Sequence, residues 1–149
     1  MSTIKLETDK MFTDITDEVQ AMVPEHFQGL VNVYSPHTTC CLFQTENELL
    51  HLVDLRFFLD NMAPYLKEPE GNQKNVKYFH DLISLRMEAP KDERLNGHSH
   101  VRSLFFNSSE TIPIQDGKLL LGKWKRLFFV ELDPVRKREI VITLINGHN

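Results

Sequence analysis

Cysteine is nearly absent from this chain: Cys40 and Cys41 are the only two, and they are adjacent. Neighbouring cysteines do not meet ordinary disulfide geometry. No CxxC is present to suggest a zinc knuckle or a redox pair. Long hydrophobic runs are missing as well, and none approaches the roughly 18 residues of a membrane span. Met1-Ser2-Thr3-Ile4-Lys5-Leu6-Glu7 lacks the apolar stretch of a signal peptide. A reducing cytoplasm is the expected location. Nor is there an excess of basic charge: 17 Lys and Arg stand against 21 Asp and Glu, a net charge of −4, with an isoelectric point near 6.0. That balance argues against electrostatic binding to nucleic acid or anionic membrane. The phosphate-cradling patterns GxGxxG and GxxxxGK[ST] and the nucleophile elbow GxSxG are all absent.

What is present is an ordinary globular composition, 41% hydrophobic and 26% charged, in 149 residues. That length fits one domain spanning 1–149, since domains typically run to roughly 100–150 residues. It buries enough surface to need no disulfide staples. The unusual entry is histidine, with seven copies, several beside one another or beside carboxylates.

Residues 3–10 alternate apolar and polar side chains, predicting a half-buried strand. Thr13 to Asp17 offers helix caps, with Ile15, Val19 and Met22 on one helical face and Pro24 as the stop. Leu30 to Tyr34 predicts a strand broken at Ser35-Pro36, and Thr39 to Phe43 a second extended piece. Thr45 and Glu48 make a capping box for a long helix. That helix carries the rows Leu49, Val53, Phe57 and Leu52, Leu55, Leu59, and ends at Pro64. A polar loop is expected over 67–77, then an irregular or locally helical stretch to Gly97 that Pro90 breaks. Ser99 is placed to cap a short helix through Val101, Leu104 and Phe105. Strands follow at 111–114 and 118–121 about an Asp116-Gly117 hairpin turn, then at 124–132 and 139–145, with Asp133-Pro134 as a turn. The sum is an α+β domain whose last third reads as an antiparallel meander.

His37 follows a strand and Pro36, where a chain reversal can aim its imidazole into a cleft, and Glu46 lies nine positions on. His80 is followed by Asp81. Asn96-Gly97-His98-Ser99-His100 sets two histidines two apart: in extended backbone they point the same way and chelate one cation, on a helix they diverge. Neutral imidazole is a common metal ligand that a nearby carboxylate orients. Surface or core histidines are the commoner fate of such residues, and spacing leaves both open. His26, His51 and His148 look dispensable. Asn107-Ser108-Ser109 is a hydroxyl-rich turn able to offer donors to phosphate, or an ordinary turn with local caps. Arg136-Lys137-Arg138 is either a solvated basic edge or the approach for a phosphate-bearing substrate. Trp124 reads as core or subunit interface rather than a stacking platform.

Several of these pieces stand in the order of one family. They are Pro36-His37-Thr38-Thr39 with Glu46-Asn47, Tyr78-Phe79-His80-Asp81, Asn96-Gly97-His98-Ser99-His100, and Ser109-x-x-Ile112-Pro113-Ile114-x-Asp116-Gly117-Lys118-Leu119-x-Leu121-Gly122-x-Trp124. Over 30–147 the chain resembles the YjbQ-like proteins, also called the secondary thiamine-phosphate synthase family. The resemblance implies a single compact α+β domain with β-sandwich-like antiparallel sheets and flanking helices, assembled as a homotrimer. It also implies a histidine pocket at a subunit boundary, metal-occupied in some members. Carried over by position, His37, His80 and His100 would hold a divalent metal, zinc by preference, with His98 matching only some members. Glu46 would act as general base or orient a ligand, with His37 beside it. Two departures stand out: the family's Gly-Thr-Trp-Gln is here Gly122-Lys123-Trp124-Lys125, and its Asp-Pro inside the long helix is here Leu49-Leu50.

The expected partner is a phosphorylated small molecule held by Asn107, Ser108 and Ser109. The expected reaction is of the thiamine-phosphate synthase type: a pyrimidine-methyl diphosphate is joined to a thiazole phosphate and pyrophosphate is released. The alternatives are a metal-dependent hydrolase of a phosphorylated small molecule, and a non-catalytic trimeric protein that binds metal or anion.

Overall fold

The computed structural model describes residues 1–65, 77–89, 94–134 and 136–147. The loop expected over 67–77, apart from Lys77, the break at Pro90 and the residue His148 lie outside the described residues. Among the described residues, eight strands and three α-helices follow in chain order as β1 (Ser2–Glu7), β2 (Phe12–Asp14), α1 (Thr16–Gln20), β3 (Gly29–Tyr34), β4 (Cys40–Glu46), α2 (Leu49–Met62), α3 (Gly97–Arg102), β5 (Ser109–Gln115), β6 (Lys118–Leu119), β7 (Lys125–Glu131) and β8 (Lys137–Asn146). A 3₁₀ segment, Phe79–Leu85, precedes α3, and another, Ser103–Phe105, follows it.

The strands form two antiparallel sheets, ordered β1-β8-β3-β5-β6 and β2-β7-β4. Of the expected meander only the β5–β6 hairpin survives. Its turn, Asp116-Gly117, holds both residues at positive φ, 50° and 73°, the backbone a two-residue hairpin loop demands. β7 instead crosses to the second sheet and β8 returns to the first. The reason lies in β7 itself, where Leu127, Phe128, Phe129 and Val130 are all buried. A strand apolar on both faces needs cover on both. Leu127 and Phe129 join Val31, Val33, Ile112, Ile140 and Ile142 of the first sheet in one core. Phe128 and Val130 face the other way, into a second cluster with Phe12, Cys41 and Leu59 of α2. The layers are therefore sheet, sheet and helix around a shared middle strand, which makes one domain.

Several local expectations shift. Glu48, not Thr45, caps α2, its carboxylate accepting from the backbone N–H groups of Leu50 and His51. Thr45 Oγ1 instead lies 2.6 Å from His51 Nε2. Ser99 is no cap: α3 begins earlier, and Ser99 Oγ donates to Leu132 O at 2.5 Å. β2, at three residues, is too short to carry a periodic signal. Of the two α2 rows, Leu52, Leu55 and Leu59 pack against the second cluster, while Leu49 and Phe57 stay 73% and 70% exposed. Trp124 is exposed rather than core, with Lys123 Nζ 4.6 Å from its ring centroid. Among the described residues no helix is long and apolar enough to cross a membrane.

Asp14 ties the start of α1 to β7. Its carboxylate accepts from Thr16 N at 3.0 Å, Thr16 Oγ1 at 2.7 Å and Arg126 Nε at 2.8 Å. Burial alone would raise its pKa, but these hydrogen bonds and the Arg126 charge hold it below the usual carboxylate value. A depressed folded pKa means stability that is present above the unfolded value and is lost as pH falls through the folded one. The urea midpoint of the wild type should therefore drop between about pH 5 and pH 3, and Asp14→Asn should flatten that drop. Equal slopes would refute the assignment.

Candidate functional site

Two of the links that pass between the sheets, β3 to β4 and β7 to β8, run side by side. The register pairs the end of β3 with the middle of β8 (Tyr34 opposite Val141) and the start of β4 with the end of β7 (Cys40 opposite Glu131). So the 35–39 connection and residues 132–134 meet at one end of the sandwich. A backbone bond ties them together, Leu132 N donating to Thr39 O at 3.1 Å. His37 Nε2 lies 3.1 Å from Glu139 O and 3.2 Å from Glu139 N, so its tautomer decides whether it donates or accepts.

Between these links and the helical excursion lies a cavity of about 420 Å³. Its wall is His37, Thr38 and Thr39 from the first link, Arg136 and Arg138 from the second, and His80, Ile83, Asn96 and His100 from the excursion, with Pro36 at the edge. Arg136 and Arg138 share a face because extended backbone repeats every two residues. Lys137, between them, turns outward to Glu7.

The excursion is folded by its own motif residues. Gly97 N donates to Asp81 Oδ1 at 2.8 Å. A Cβ at Gly97 would lie 2.4 Å from Tyr78 Cβ, so only glycine lets α3 close on the 3₁₀ segment. That approach stacks His80 against His100, ring centroids 4.5 Å apart at 42°. Gly97→Ala should force the segments apart and lower stability by about 1–3 kcal/mol. Chemical denaturation measures the loss, and wild-type stability in that variant would contradict the close-packing reading.

The structure thus brings His37, His80 and His100 to one wall and leaves the other predicted residues elsewhere. α3 is the helical case, in which His98 and His100 diverge. His98 is buried with its ring 4.7 Å from Tyr65 and its Nε2 3.1 Å from Ser99 Oγ, and burial pushes its pKa down. Glu46 ends β4, about 20 Å along the strand from Cys40 at ~3.3 Å per residue, away from its own chain's cavity. Asn107 to Ser109 also stand off the wall. Asn107 Nδ2 donates to Glu110 Oε1 at 2.8 Å, and Asn107 N to Leu42 O. His26 pairs with Asp116 at 2.6 Å beside a second depression of about 690 Å³ that holds none of the predicted residues.

Two residues of the site carried no sequence-level role. Glu131 is buried under the wall and accepts from Arg138 Nε at 2.7 Å and Arg138 Nη2 at 2.8 Å. Burial opposes the Arg138 charge, yet the hydrogen bonds to Glu131 together with the charges of Glu131 and Asp133 raise the Arg138 pKa. Arg138 Nη2 also reaches Thr39 Oγ1 at 3.3 Å. Asn96 is 6% exposed, its Oδ1 without a partner among the described residues. His80 Nδ1 and Arg136 Nε, on the same wall, are likewise buried and unpartnered there. Asn96 stood in the Asn96-Gly97-His98-Ser99-His100 motif with no role of its own, and nothing local marks Glu131. Burial raises both thiols, Cys41 to about 11 and Cys40 further beside Glu131, so neither is a nucleophile at neutral pH.

A family model described as UPF0047 protein YjbQ-like matches residues 2–147. The chain belongs to the YjbQ-like family. A UPF0047 protein of Archaeoglobus fulgidus is 34% identical over 140 residues, covering 94% of this chain and 95% of that protein. One from Methanothermobacter thermautotrophicus is 30% identical, covering 88% and 80%. Among solved structures, a hypothetical protein from Aeropyrum pernix superimposes with a TM-score of 0.78 at 25% identity, covering 98% of each chain. A YjbQ/UPF0047 protein from Clostridium acetobutylicum superimposes at 0.75 and 26%, covering 97% and 100%. The two-sheet domain with its helical excursion is thus the YjbQ-like fold.

The resemblance implies a metal, and the wall tests it in two directions. The unpartnered His80 Nδ1 suits a ligand. Yet among the described residues no group of three or more His, Cys, Asp and Glu is arranged to hold a metal ion. Arg136 and Arg138 line the same space and repel a cation, while His37 Nε2 is committed to the Glu139 backbone. Within one chain the donors suit an anion better.

Proposed function

We propose that this cavity binds the phosphate of a phosphorylated small molecule, and that the protein is a transferase of the thiamine-phosphate synthase type. The observation that carries the reading is the composition of the wall: three imidazoles, two guanidinium groups, two threonine hydroxyls and an amide, with no carboxylate among the described lining residues. In that reaction the carbon–oxygen bond to the diphosphate breaks as the carbon–nitrogen bond to the thiazole forms. Fixed cationic donors stabilise the departing pyrophosphate and need no rearrangement as charge develops. Arg138, held by Glu131, and Arg136, held by Asp133, supply such fixed charge, and the imidazoles supply donors beside it.

Calorimetry with pyrophosphate and a product assay test this together. Pyrophosphate should bind, and its release from the pyrimidine diphosphate should require the thiazole phosphate. Release without thiazole makes the protein a hydrolase, and binding without turnover makes it an anion-binding protein. No binding overturns the reading, and full turnover in His100→Ala removes the imidazoles from it.

The second reading keeps a divalent metal, zinc by preference, on His37, His80 and His100, and the unpartnered His80 Nδ1 favours it. Such an ion would polarise a phosphoryl oxygen. Elemental analysis of protein purified without chelator decides it, one zinc per chain supporting the metal and none opposing it.

A homotrimer accompanies both readings, supported by the exposed apolar row on α2. Glu46 would then act as a base only in a neighbouring copy's cavity. The buried free thiols fit a cytoplasmic location.

A further inference from the structure

Asn96 occupies the residue before α3, where an asparagine side chain usually caps the helix. Here it does not: no side-chain cap hydrogen bond forms, and only its backbone carbonyl is used, by Ser99 N and His100 N. The amide is instead buried on the cavity wall with Oδ1 unpartnered among the described residues. A buried acceptor left without a donor is costly to the fold, and local capping does not account for it. Its neighbours on the wall are of the opposite kind. Arg136 Nε is a buried donor without a partner, on a guanidinium that Asp133 anchors through Nη2. Arg138 and the Thr38 and Thr39 hydroxyls add further donors. Among these donors Asn96 Oδ1 can only accept, while the unpartnered His80 Nδ1 donates or accepts with its tautomer, and the set matches an oxyanion that still carries an O–H.

We propose that Asn96 makes the cavity selective for a protonated oxyanion, with hydrogen phosphate as its simplest member, over one that has no proton. This rests on the reading that the cavity binds phosphate. The phosphate P–O–H donates to Asn96 Oδ1, while Arg136 Nε donates to an unprotonated oxygen. Sulfate has the same shape, and it carries no proton at neutral pH. In its complex the Asn96 carbonyl faces a bare anionic oxygen, a repulsive contact. Selectivity of this kind comes from the acceptor that the wrong anion leaves unpaired.

Calorimetry with inorganic phosphate and with sulfate at equal ionic strength tests it on the full chain. Phosphate should bind at least about tenfold more tightly than sulfate, the factor of one net hydrogen bond. Asn96→Leu should bring the ratio close to one, and Arg136→Met should weaken both anions and leave the ratio in place. Equal affinities in the wild type overturn the Asn96 proposal and leave the phosphate reading standing. A preference that survives Asn96→Leu overturns it too. Failure of both anions to bind overturns the phosphate reading itself. Should Asn96→Leu not fold, Asn96→Asp carries the test: it keeps the acceptor and adds charge, so the ratio must widen, and a narrowed ratio refutes the proposal.

Discussion

Arg138→Met unfolds with about 3–5 kcal/mol less stability than the wild type, the typical penalty for stranding one member of a buried ion pair. Both side chains are buried, 6% exposed for Arg138 and 2% for Glu131. Removing the guanidinium leaves the carboxylate with only the Asp133 N–H at 3.2 Å and the Cys40 thiol at 3.4 Å among the described residues. For a domain whose whole stability is of the order of 5–15 kcal/mol, that is a large share. The companion experiment is Glu131→Gln combined with Arg138→Met. With no charge left to strand, the double variant should recover much of the loss. Urea denaturation with a shared slope reads both, and a single variant within about 1 kcal/mol of the wild type would show the pair to be incidental. The double variant also isolates function: folded but short of one cavity cation, it should bind pyrophosphate more weakly than the wild type.

Phe57→Glu should convert the proposed assembly from three chains to one, read as light-scattering mass against the 17.4 kDa of the chain. Phe57 stands with Leu49 and Val53 on the solvent side of α2, and Leu50, Phe58 and Met62 widen the exposed apolar surface. Single exposed apolar residues are ordinary, whereas a contiguous patch on one helix marks a contact surface. A charge at its centre must be desolvated to keep the contact, which sets attraction between copies against burial of an unpaired carboxylate. The substitution leaves the core untouched, so the thermal unfolding of the isolated chain serves as the folding control. A wild type that already runs as one chain refutes the homotrimer, and a variant that keeps the full mass places the contact on another surface.

The two α2 rows show how far sequence pattern reaches. Both have helical spacing and both read as apolar faces, but periodicity reports that a face is apolar and not what covers it. Leu52, Leu55 and Leu59 pack on the second sheet's cluster, whereas Leu49, Val53 and Phe57 stay exposed. The strands were legible for the same reason, since alternation and apolar runs are local. Their pairing was not: β7 lies between β2 and β4 because both its faces are apolar, and the partner strands come from residues 12–14 and 40–46. The histidines divide along the same line. His37, His80 and His100 stood in recognisable motifs, and Gly97 stood in one of them, yet the divergence of His98 from His100 followed only once α3 was seen to be helical.

The sequence by itself determined most of the elements, the single α+β domain, the family to which the chain belongs, and three of the cavity's residues, because each rests on local spacing or on residue order. Only the tertiary structure decided that the cavity is walled by donors. Arg136, Arg138 and Asn96 come from distant stretches of chain, and Glu131 is set beneath Arg138 by the crossing of β7 to β8. The sign of a site's charge is a sum over side chains that meet only after the sheets have packed, and no window of sequence contains that sum.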